Sequence, residues 1–288
     1  VAKNAGLLDM SAFAKARISG PGAEAFLDYL VANKLPREVG RVALCHALTE
    51  RGGVHSEFTI QRESADSFYL VSAGAAQRLD HDWVKKLMPV DGSVRFDDLT
   101  NSIGVLVLAG PRARDILSKI TRTDLSNKKF PWLSGQMIDV NLAPAMAIRV
   151  NFVGELGWEF HHPIEYQNHI FDAIMEAGAE FGIKPFGIRA MDAMRLEKSY
   201  RLVGTELSIE YAALESGLHR FVHLNKCEFK GQRQLAKWQE TGFANKMVTL
   251  EVHDTNDADA IGGNPVMTTD GIVVGRATSG GFGFRLEK

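Results

Sequence analysis

Short apolar runs and helical patterns alternate along the chain in an order that recurs after about ninety residues. The apolar runs that end at Gly20-Pro21 and at Gly110-Pro111 are each followed by apolar residues three and four positions apart. This spacing marks the buried face of an amphipathic helix, and proline suits the first helical turn because its φ angle is preset. Each copy is therefore predicted to pass from a strand through a Gly-Pro turn into a helix.

The match between the two copies continues after these helices. Alternating apolar and polar positions predict strands at 42–48 and 55–60 in the first copy, and at 137–140 and 145–152 in the second. A further strand and a helix close each copy, with the helices predicted over 73–87 and 164–181. Strands joined by hairpins with helices on one face form an α+β layer. The sequence therefore predicts two related α+β units.

The pattern changes after the second copy. Residues 189–199 predict one more helix, and the region from 247 onwards places Gly- and Asp-rich turns between short apolar runs. This composition is typical of a small β-rich domain. The chain starts without methionine and stops soon after a strand predicted at 271–278. We therefore expect it to be a piece of a longer polypeptide.

Composition and charge narrow the class of protein. The chain has 288 residues, of which 45% are apolar and 24% charged, as in globular proteins of two or three domains. Its net charge of -2 leaves no basic surface, so we expect neither a nucleic acid nor a membrane as partner. Cys45 and Cys227 are the two cysteines, too few for a disulfide scaffold. We expect the cytoplasm, or the mitochondrial matrix in a eukaryote.

Candidate chemistry is confined to two carboxylates. The short motifs of dinucleotide-, ATP- and zinc-dependent enzymes are missing from the sequence, and the nine histidines lack metal-ligand spacing. We therefore expect no metal site and structural or solvated histidines. Glu57 follows the Gly52-Gly53 turn and shares a strand face with Thr59, whereas Glu159 follows a turn at 154–157. Each acid fits an exposed strand position as well as a pocket wall.

Several short strings resemble one family. They are residues 5–11 (AGLLDMS), 20–21 (GP), 52–53 (GG), 154–159 (GELGWE), 194–198 (MRLEK) and 278–281 (TSGG). In this order and spacing they resemble the aminomethyltransferase, or T-protein, family of the glycine cleavage system. Residues 189–192 (RAMD) and 229–231 (FKG) make the chain more similar to the folate-binding C-terminal region of dimethylglycine and sarcosine dehydrogenases.

The resemblance implies a fold. Family members form a three-domain ring around tetrahydrofolate, with two related α+β units and a C-terminal β-barrel-like domain, which would be incomplete here. The first domain is then expected at 1–15 together with 101–220, and the second at 16–100. The third would be a truncated β-rich domain at 221–288.

The resemblance also implies a reaction. The family transfers a one-carbon unit to tetrahydrofolate, so the expected substrate is a methylated amine or its iminium. In the dehydrogenase branch a FAD-binding oxidoreductase region precedes this one. FAD is therefore expected only in a domain or subunit outside this chain, because no dinucleotide fingerprint is present within it.

Site residues carry over position by position. Glu57 occupies the position of the family's catalytic aspartate, and Glu159 that of the glutamate that binds the pterin. Phe152 replaces a tyrosine, which keeps the aromatic surface and loses the hydroxyl. The family arginine aligns with Met191, so Arg189 is the expected substitute. Thr59, on the strand face of Glu57, joins Glu159, Phe152 and Arg189 as a predicted folate-binding residue.

Two further functions stay open from the sequence. One is a tetrahydrofolate-dependent enzyme that takes a methyl group from another donor, such as a sulfonium or an aryl ether. The other is a non-catalytic folate-binding or assembly module of a larger oxidase. The glutamate at position 57, where the family has aspartate, is the main support for the second.

Overall fold

The computed structural model describes residues 1–253 and 259–288. Six strands form a mixed sheet: β1 (Gly6–Asp9), β7 (Ile103–Ala109), β8 (Gly135–Val140), β9 (Ala143–Ile148), β10 (Gly157–Pro163) and β11 (Lys184–Pro185). Five strands form an antiparallel sheet: β2 (Ala14–Ser19), β3 (Val42–Leu48), β4 (Val54–Arg62), β5 (Ser67–Ser72) and β6 (Arg95–Asp98). The α-helices are α1 (Ala23–Leu30), α2 (Gln77–Leu87), α3 (Ala113–Leu117), α4 (Gln167–Gly178), α5 (Ile188–Glu197) and α6 (Gln232–Thr241).

The two sheets repeat one topology. The first is ordered β3-β4-β5-β2-β6 and the second β8-β9-β10-β7-β1-β11. In each, a strand enters a helix through a Gly-Pro turn: Gly20 (φ 113°) precedes α1 and Gly110 (φ 130°) precedes α3. These φ values favour glycine, because a side chain strains the backbone there. The two-unit repeat expected from the sequence is thus present in the fold.

Each sheet buries one face beneath its own helices. In the five-stranded sheet, Ile18, Phe58 and Ile60 pack against α1 and α2. In the six-stranded sheet, Trp158 and Phe160 pack with residues of α3 and α4. Alternation directs the intervening side chains of every strand to the opposite face.

Those opposite faces meet each other. Val42, Tyr69 and Val71 from the five-stranded sheet form one apolar cluster with Ile148 from the six-stranded sheet. The Gln61 amide lies 3.3 Å from the Met146 sulfur across the same contact. The two sheets therefore face each other, and we call the region between their facing sides the inter-sheet gap.

The C-terminal region differs from the expectation of a barrel-like β domain. Residues 221–253 and 259–288 contain α6 and one two-stranded sheet, formed by β12 (Pro265–Met267) and β13 (Val273–Arg276). In the described part of the chain the sheets do not close into a barrel. The sequence prediction missed α6, whose good helix formers bury only Leu235, and residues 254–258 of that region lie outside the described ranges.

Within the described ranges, each helix is too short or too polar to cross a bilayer. The divisions expected at 15/16, 100/101 and 220/221 stay predictions. The structure shows which strands belong to which sheet: β1 and β7 to β11 form one sheet, and β2 to β6 form the other.

Candidate functional site

The Gly52-Gly53 turn sets the start of the strand that carries Glu57. Gly52 has a φ of 80°, and a Cβ on Gly53 would lie 2.3 Å from the carbonyl oxygen of Ile209. That approach is possible only without a side chain, so the turn sits directly on the 209–212 segment, where Gly53 bridges to Ala212. The turn thereby fixes the position of β4.

Glu57 and Thr59 lie on the face of β4 that points into the inter-sheet gap. Phe58 and Ile60 are buried on the opposite face, and Thr59 pairs with Val71 of the apolar cluster between the sheets. The Glu57 side chain is 22% exposed. The structure therefore places both predicted residues on a face shared with the other unit.

Glu57 has a partner that the sequence analysis missed. Oε2 of Glu57 lies 2.9 Å from Nε2 of His46, directly opposite on β3. His46 is fully buried, and its ring packs against that of Phe221 in a T-shaped arrangement with centroids 5.5 Å apart. The expected structural histidine is thus in contact with the candidate catalytic acid.

Glu159 lies on the gap-facing side of the six-stranded sheet. It pairs with Val107 and Ile148 in register and is 7% exposed. Its Oε2 lies 3.3 Å from Nε2 of His161, and Nδ1 of His161 lies 3.0 Å from the hydroxyl of Tyr69. Glu159 is therefore a buried carboxylate, and the position is not an exposed strand residue.

Phe152 shares this side of the sheet with Glu159. It lies in the loop before β10 and packs on the apolar cluster that contains Val107 and Met191. The ring of Phe152 is tilted against that of Tyr200, with centroids 6.0 Å apart. Phe152 and Glu159 thus come from one loop-and-strand segment onto one surface.

Arg189 lies apart from these residues. It is exposed in the first turn of α5, whereas Met191 on the same helix is buried in the cluster beside Phe152. Within the described contacts, the Arg189 side chain has neither a hydrogen bond nor an ion pair. Of the predicted residues, Glu57, Thr59 and Glu159 lie on strand faces that border the inter-sheet gap. Phe152 lies on the same side of the six-stranded sheet as Glu159.

Two of the recognised strings meet around a buried ion pair. Arg195 of the 194–198 string donates to Oε2 of Glu206 at 3.0 Å and to Oγ of Ser279 at 2.8 Å, the latter from the 278–281 string. Burial raises the pKa of Glu206. Hydrogen bonds from Ser279, the Leu202 amide, Thr278 and Thr205 outweigh that effect and lower the pKa to about 2. This network joins the 278–281 string to α5.

A cavity among the described residues lies elsewhere. It has a volume of about 360 Å³ and is lined by Lys34, Leu214, His219, Val222, His223, Leu224, Asn225 and Gln239. None of the five predicted site residues lines it. Phe221, the residue before Val222 of that lining, contacts the ring of His46. Within 1–253 and 259–288, groups of three or more residues that could hold a metal ion are absent.

The chain is similar to known proteins over most or all of its length. A family model described as the GCVT N-terminal domain matches residues 1–226. Human mitochondrial dimethylglycine dehydrogenase is 37% identical over 100% of this chain and 33% of its own length. The aminomethyltransferase of a Thermoanaerobacter species is 33% identical over 87% of this chain and 68% of its own length.

One solved structure reports on the fold. The crystal structure of the glycine cleavage system aminomethyltransferase T from Bartonella henselae matches with a TM-score of 0.87 at 22% identity. The match covers 98% of this chain and 75% of that one. The likeness shows the mixed α+β fold. The chain spans about a third of the length of the dimethylglycine dehydrogenase it matches.

Proposed function

The chain belongs to the aminomethyltransferase family, and on that basis we propose that it binds tetrahydrofolate and transfers a one-carbon unit to it. It is an aminomethyltransferase-like enzyme domain, similar to the folate region of dimethylglycine and sarcosine dehydrogenases. The observation that carries the proposal is Glu159. This carboxylate is 7% exposed and, within the described part of the chain, has one side-chain hydrogen-bond partner, His161. An ionised carboxylate offers about four acceptor positions, so Glu159 can accept further hydrogen bonds.

The surroundings of Glu159 suit a pterin. The amino-pyrimidine edge of a pterin presents two parallel N–H groups, which a carboxylate can accept in the bidentate manner. Phe152 offers an aromatic surface on the same side of the sheet, and Thr59 a hydroxyl from the facing sheet. Arg189, exposed on α5, is the cation that would replace the family arginine.

In this reaction the protein forms no covalent bond to the one-carbon unit; it binds the folate, excludes water and moves a proton. When bound, the folate supplies a nucleophilic nitrogen that takes up the methylene carbon of an iminium. This chain holds the pterin edge at Glu159 and excludes water from the gap between the sheets. Glu57 takes the proton released by the attacking nitrogen and returns it to the departing amine.

The relatives also suggest which molecule donates the one-carbon unit and which protein supplies it. We propose a methylated amine, or its iminium, as the donor, formed by a FAD-containing oxidoreductase domain or subunit outside this chain. The dimethylglycine dehydrogenase that is 37% identical is named as mitochondrial, so the matrix of mitochondria, or the cytoplasm of a bacterium, is the proposed location.

Calorimetric titration of tetrahydrofolate into this chain tests the proposal. Replacing Glu159 by glutamine should weaken binding by about 1.5–3 kcal/mol, the worth of a hydrogen bond to a charged group. Glu165→Gln, at an exposed position on the turn Ile164–Tyr166, is the matched control and should bind as the parent does. A parent chain that does not bind tetrahydrofolate, or a Glu159→Gln variant with unchanged affinity, overturns the proposal.

A second candidate is a folate-binding module without catalysis. Glutamate at position 57 and its engagement with His46 favour it, because an acid held by a buried histidine can be structural. The module and the enzyme bind folate alike. They differ in whether the one-carbon unit is captured as methylenetetrahydrofolate or released as formaldehyde.

A further inference from the structure

His46 and Glu57 form a cross-strand pair in the hairpin of β3 and β4. They occupy directly opposed positions in the antiparallel register, where Cβ atoms lie about 4.5–5.5 Å apart. The 2.9 Å contact joins Nε2 of His46 to Oε2 of Glu57. The histidine is fully buried, whereas the side chain of Glu57 is 22% exposed. Within the pair, His46 is therefore held in the core, whereas the carboxylate of Glu57 is partly accessible.

The surroundings of the ring fix which nitrogen carries its proton. Nδ1 of His46 is buried and, in the described part of the chain, has no hydrogen-bond partner. A buried N–H without a partner is costly, and the carboxylate at Nε2 is an acceptor. The proton therefore belongs on Nε2, where it is donated to Glu57. Phe221, on another side of the ring, limits its rotation.

The length of the glutamate matters for this contact. An aspartate at position 57 has one methylene fewer, which withdraws the carboxylate by about 1.5 Å. A carboxylate drawn back by that amount would leave Nε2 beyond hydrogen-bond distance. Residue 57 and residue 46 are thus matched as a pair, and the glutamate is the longer acid that the buried histidine requires.

We propose that His46 is a positioning residue for one-carbon transfer: it holds one oxygen of Glu57 so that the other faces the inter-sheet gap. This inference rests on the proposed function. The fixed carboxylate is presented to the proton that it must take up, whereas a free glutamate side chain would sample several rotamers. His46 itself touches neither the folate nor the one-carbon unit.

Two substitutions at position 46 separate positioning from bulk packing. His46→Gln keeps an N–H donor near the position of Nε2, and His46→Leu removes it. The capture of an enzyme-bound iminium as methylenetetrahydrofolate, against release of free formaldehyde, is measured for both. We expect His46→Leu to slow capture about tenfold or more, the effect of losing a hydrogen bond to a charged group, and His46→Gln to stay within about threefold of the parent. Tetrahydrofolate affinity should be unchanged in both.

The exposed His169, bonded to the carbonyl oxygen of Asn141, provides the control substitution His169→Leu, which should behave as the parent. If His46→Leu captures the one-carbon unit at the parental rate, or if His46→Gln is as slow as His46→Leu, the positioning role is wrong. Should His46→Leu fail to fold, Glu57→Asp replaces it. That variant restores the family residue yet cannot reach His46, so we expect slower capture, and parental capture overturns the inference.

A spectroscopic readout separates this inference from the proposed function. Nitrogen NMR of the His46 ring reports its protonated nitrogen without any folate present. We expect the proton on Nε2, with a resonance that moves in Glu57→Gln and stays in Glu165→Gln. A chain that shows this pair but binds no folate contradicts the proposed function alone. A chain that binds folate and shows the proton on Nδ1 contradicts the pair.

Discussion

The hydroxyl of Tyr69 and the imidazole of His161 hydrogen-bond across the interface of the two sheets, with 3.0 Å between Oη and Nδ1. His161 in turn contacts Glu159 through Nε2 at 3.3 Å. Burial, and next the negative charge of Glu159, raise the pKa of Tyr69, so the phenol keeps its proton and donates it. Glu159 of one unit is therefore oriented by a hydroxyl of the other.

Removing that hydroxyl should weaken folate binding. Tyr69→Phe leaves the ring packing intact, frees His161 to rotate and loosens the carboxylate that we propose for the pterin. We expect tetrahydrofolate affinity to fall by about 0.5–1.5 kcal/mol, the net worth of a neutral hydrogen bond, in a calorimetric titration. Tyr29, 39% exposed, supplies the control Tyr29→Phe. Parental affinity in Tyr69→Phe would show that Glu159 needs no support from the facing sheet.

The positions of the strands could be predicted from the sequence, whereas the residues that pair across neighbouring strands could not. The apolar run predicted as a strand coincides with β3, Val42–Leu48, because a short apolar run of this length is typical of a strand that is buried on both faces. Alternation along a strand places Glu159 and His161 on one face. The partner of Glu57 depends instead on an irregularity in the hairpin, where Leu48 pairs with Val54 and the register shifts between Ala47 and Leu48.

That irregularity hides His46 from sequence reasoning. Counting back from the Leu48 and Val54 pair in regular register would set Glu57 opposite Cys45, with its neighbour His46 on the other face. A one-residue shift exchanges the two faces of a strand. The contacts between the sheets could not be predicted from the sequence either, because they join residues such as Tyr69 and His161, which are 92 residues apart. Local pattern carries no information about such pairs.

The Gly53 position should tolerate no side chain. A Cβ would lie 2.3 Å from the carbonyl oxygen of Ile209, a backbone atom that cannot swing away. Gly53→Ala should lower the free energy of unfolding by about 1–3 kcal/mol, as overpacking does, measured by urea denaturation. Gly275→Ala is the control, because its Cβ would meet only the Val266 side chain at 3.8 Å. Equal stability of the two variants would contradict the close approach at the turn.

The buried carboxyl group of Glu206, whose pKa is lowered by its hydrogen bonds, should make stability depend on pH in the acid range. The pKa of Glu206 is about 2 in the folded chain, against an ordinary value of 4.5. Its contribution to the unfolding free energy, roughly 2–4 kcal/mol, is therefore fully present above about pH 4.5. It is lost as the pH falls towards the folded value, because the unfolded chain binds the proton first.

Glu206→Gln tests this dependence. Denaturant unfolding of parent and variant at several pH values should show a large stability difference at neutral pH that shrinks steadily below about pH 4.5. Glu210→Gln, at an exposed carboxylate, should show a small difference without that trend. A Glu206→Gln difference that stays constant down to pH 3 would contradict the lowered pKa of this acid.

Glu57 should decide the fate of the one-carbon unit. It faces the inter-sheet gap from β4, held by His46 at 2.9 Å and still 22% exposed, so one oxygen can take a proton. Glutamine has the same shape but cannot accept a proton at neutral pH. Loss of a general acid–base group typically slows a reaction by about 10²–10⁴-fold. Glu57→Gln should therefore release formaldehyde where the parent forms methylenetetrahydrofolate, while tetrahydrofolate affinity stays the same.

The assay supplies an iminium donor with tetrahydrofolate and measures both products, with Glu165→Gln as control. Capture and affinity answer different questions, because Glu57 acts on the proton and Glu159 on the pterin. If Glu57→Gln partitions the one-carbon unit as the parent does, Glu57 is a bystander and the binding module becomes the better description. If capture is lost together with affinity, Glu57 belongs to the folate-binding surface instead. Only slow capture at unchanged affinity assigns the proton step to this acid.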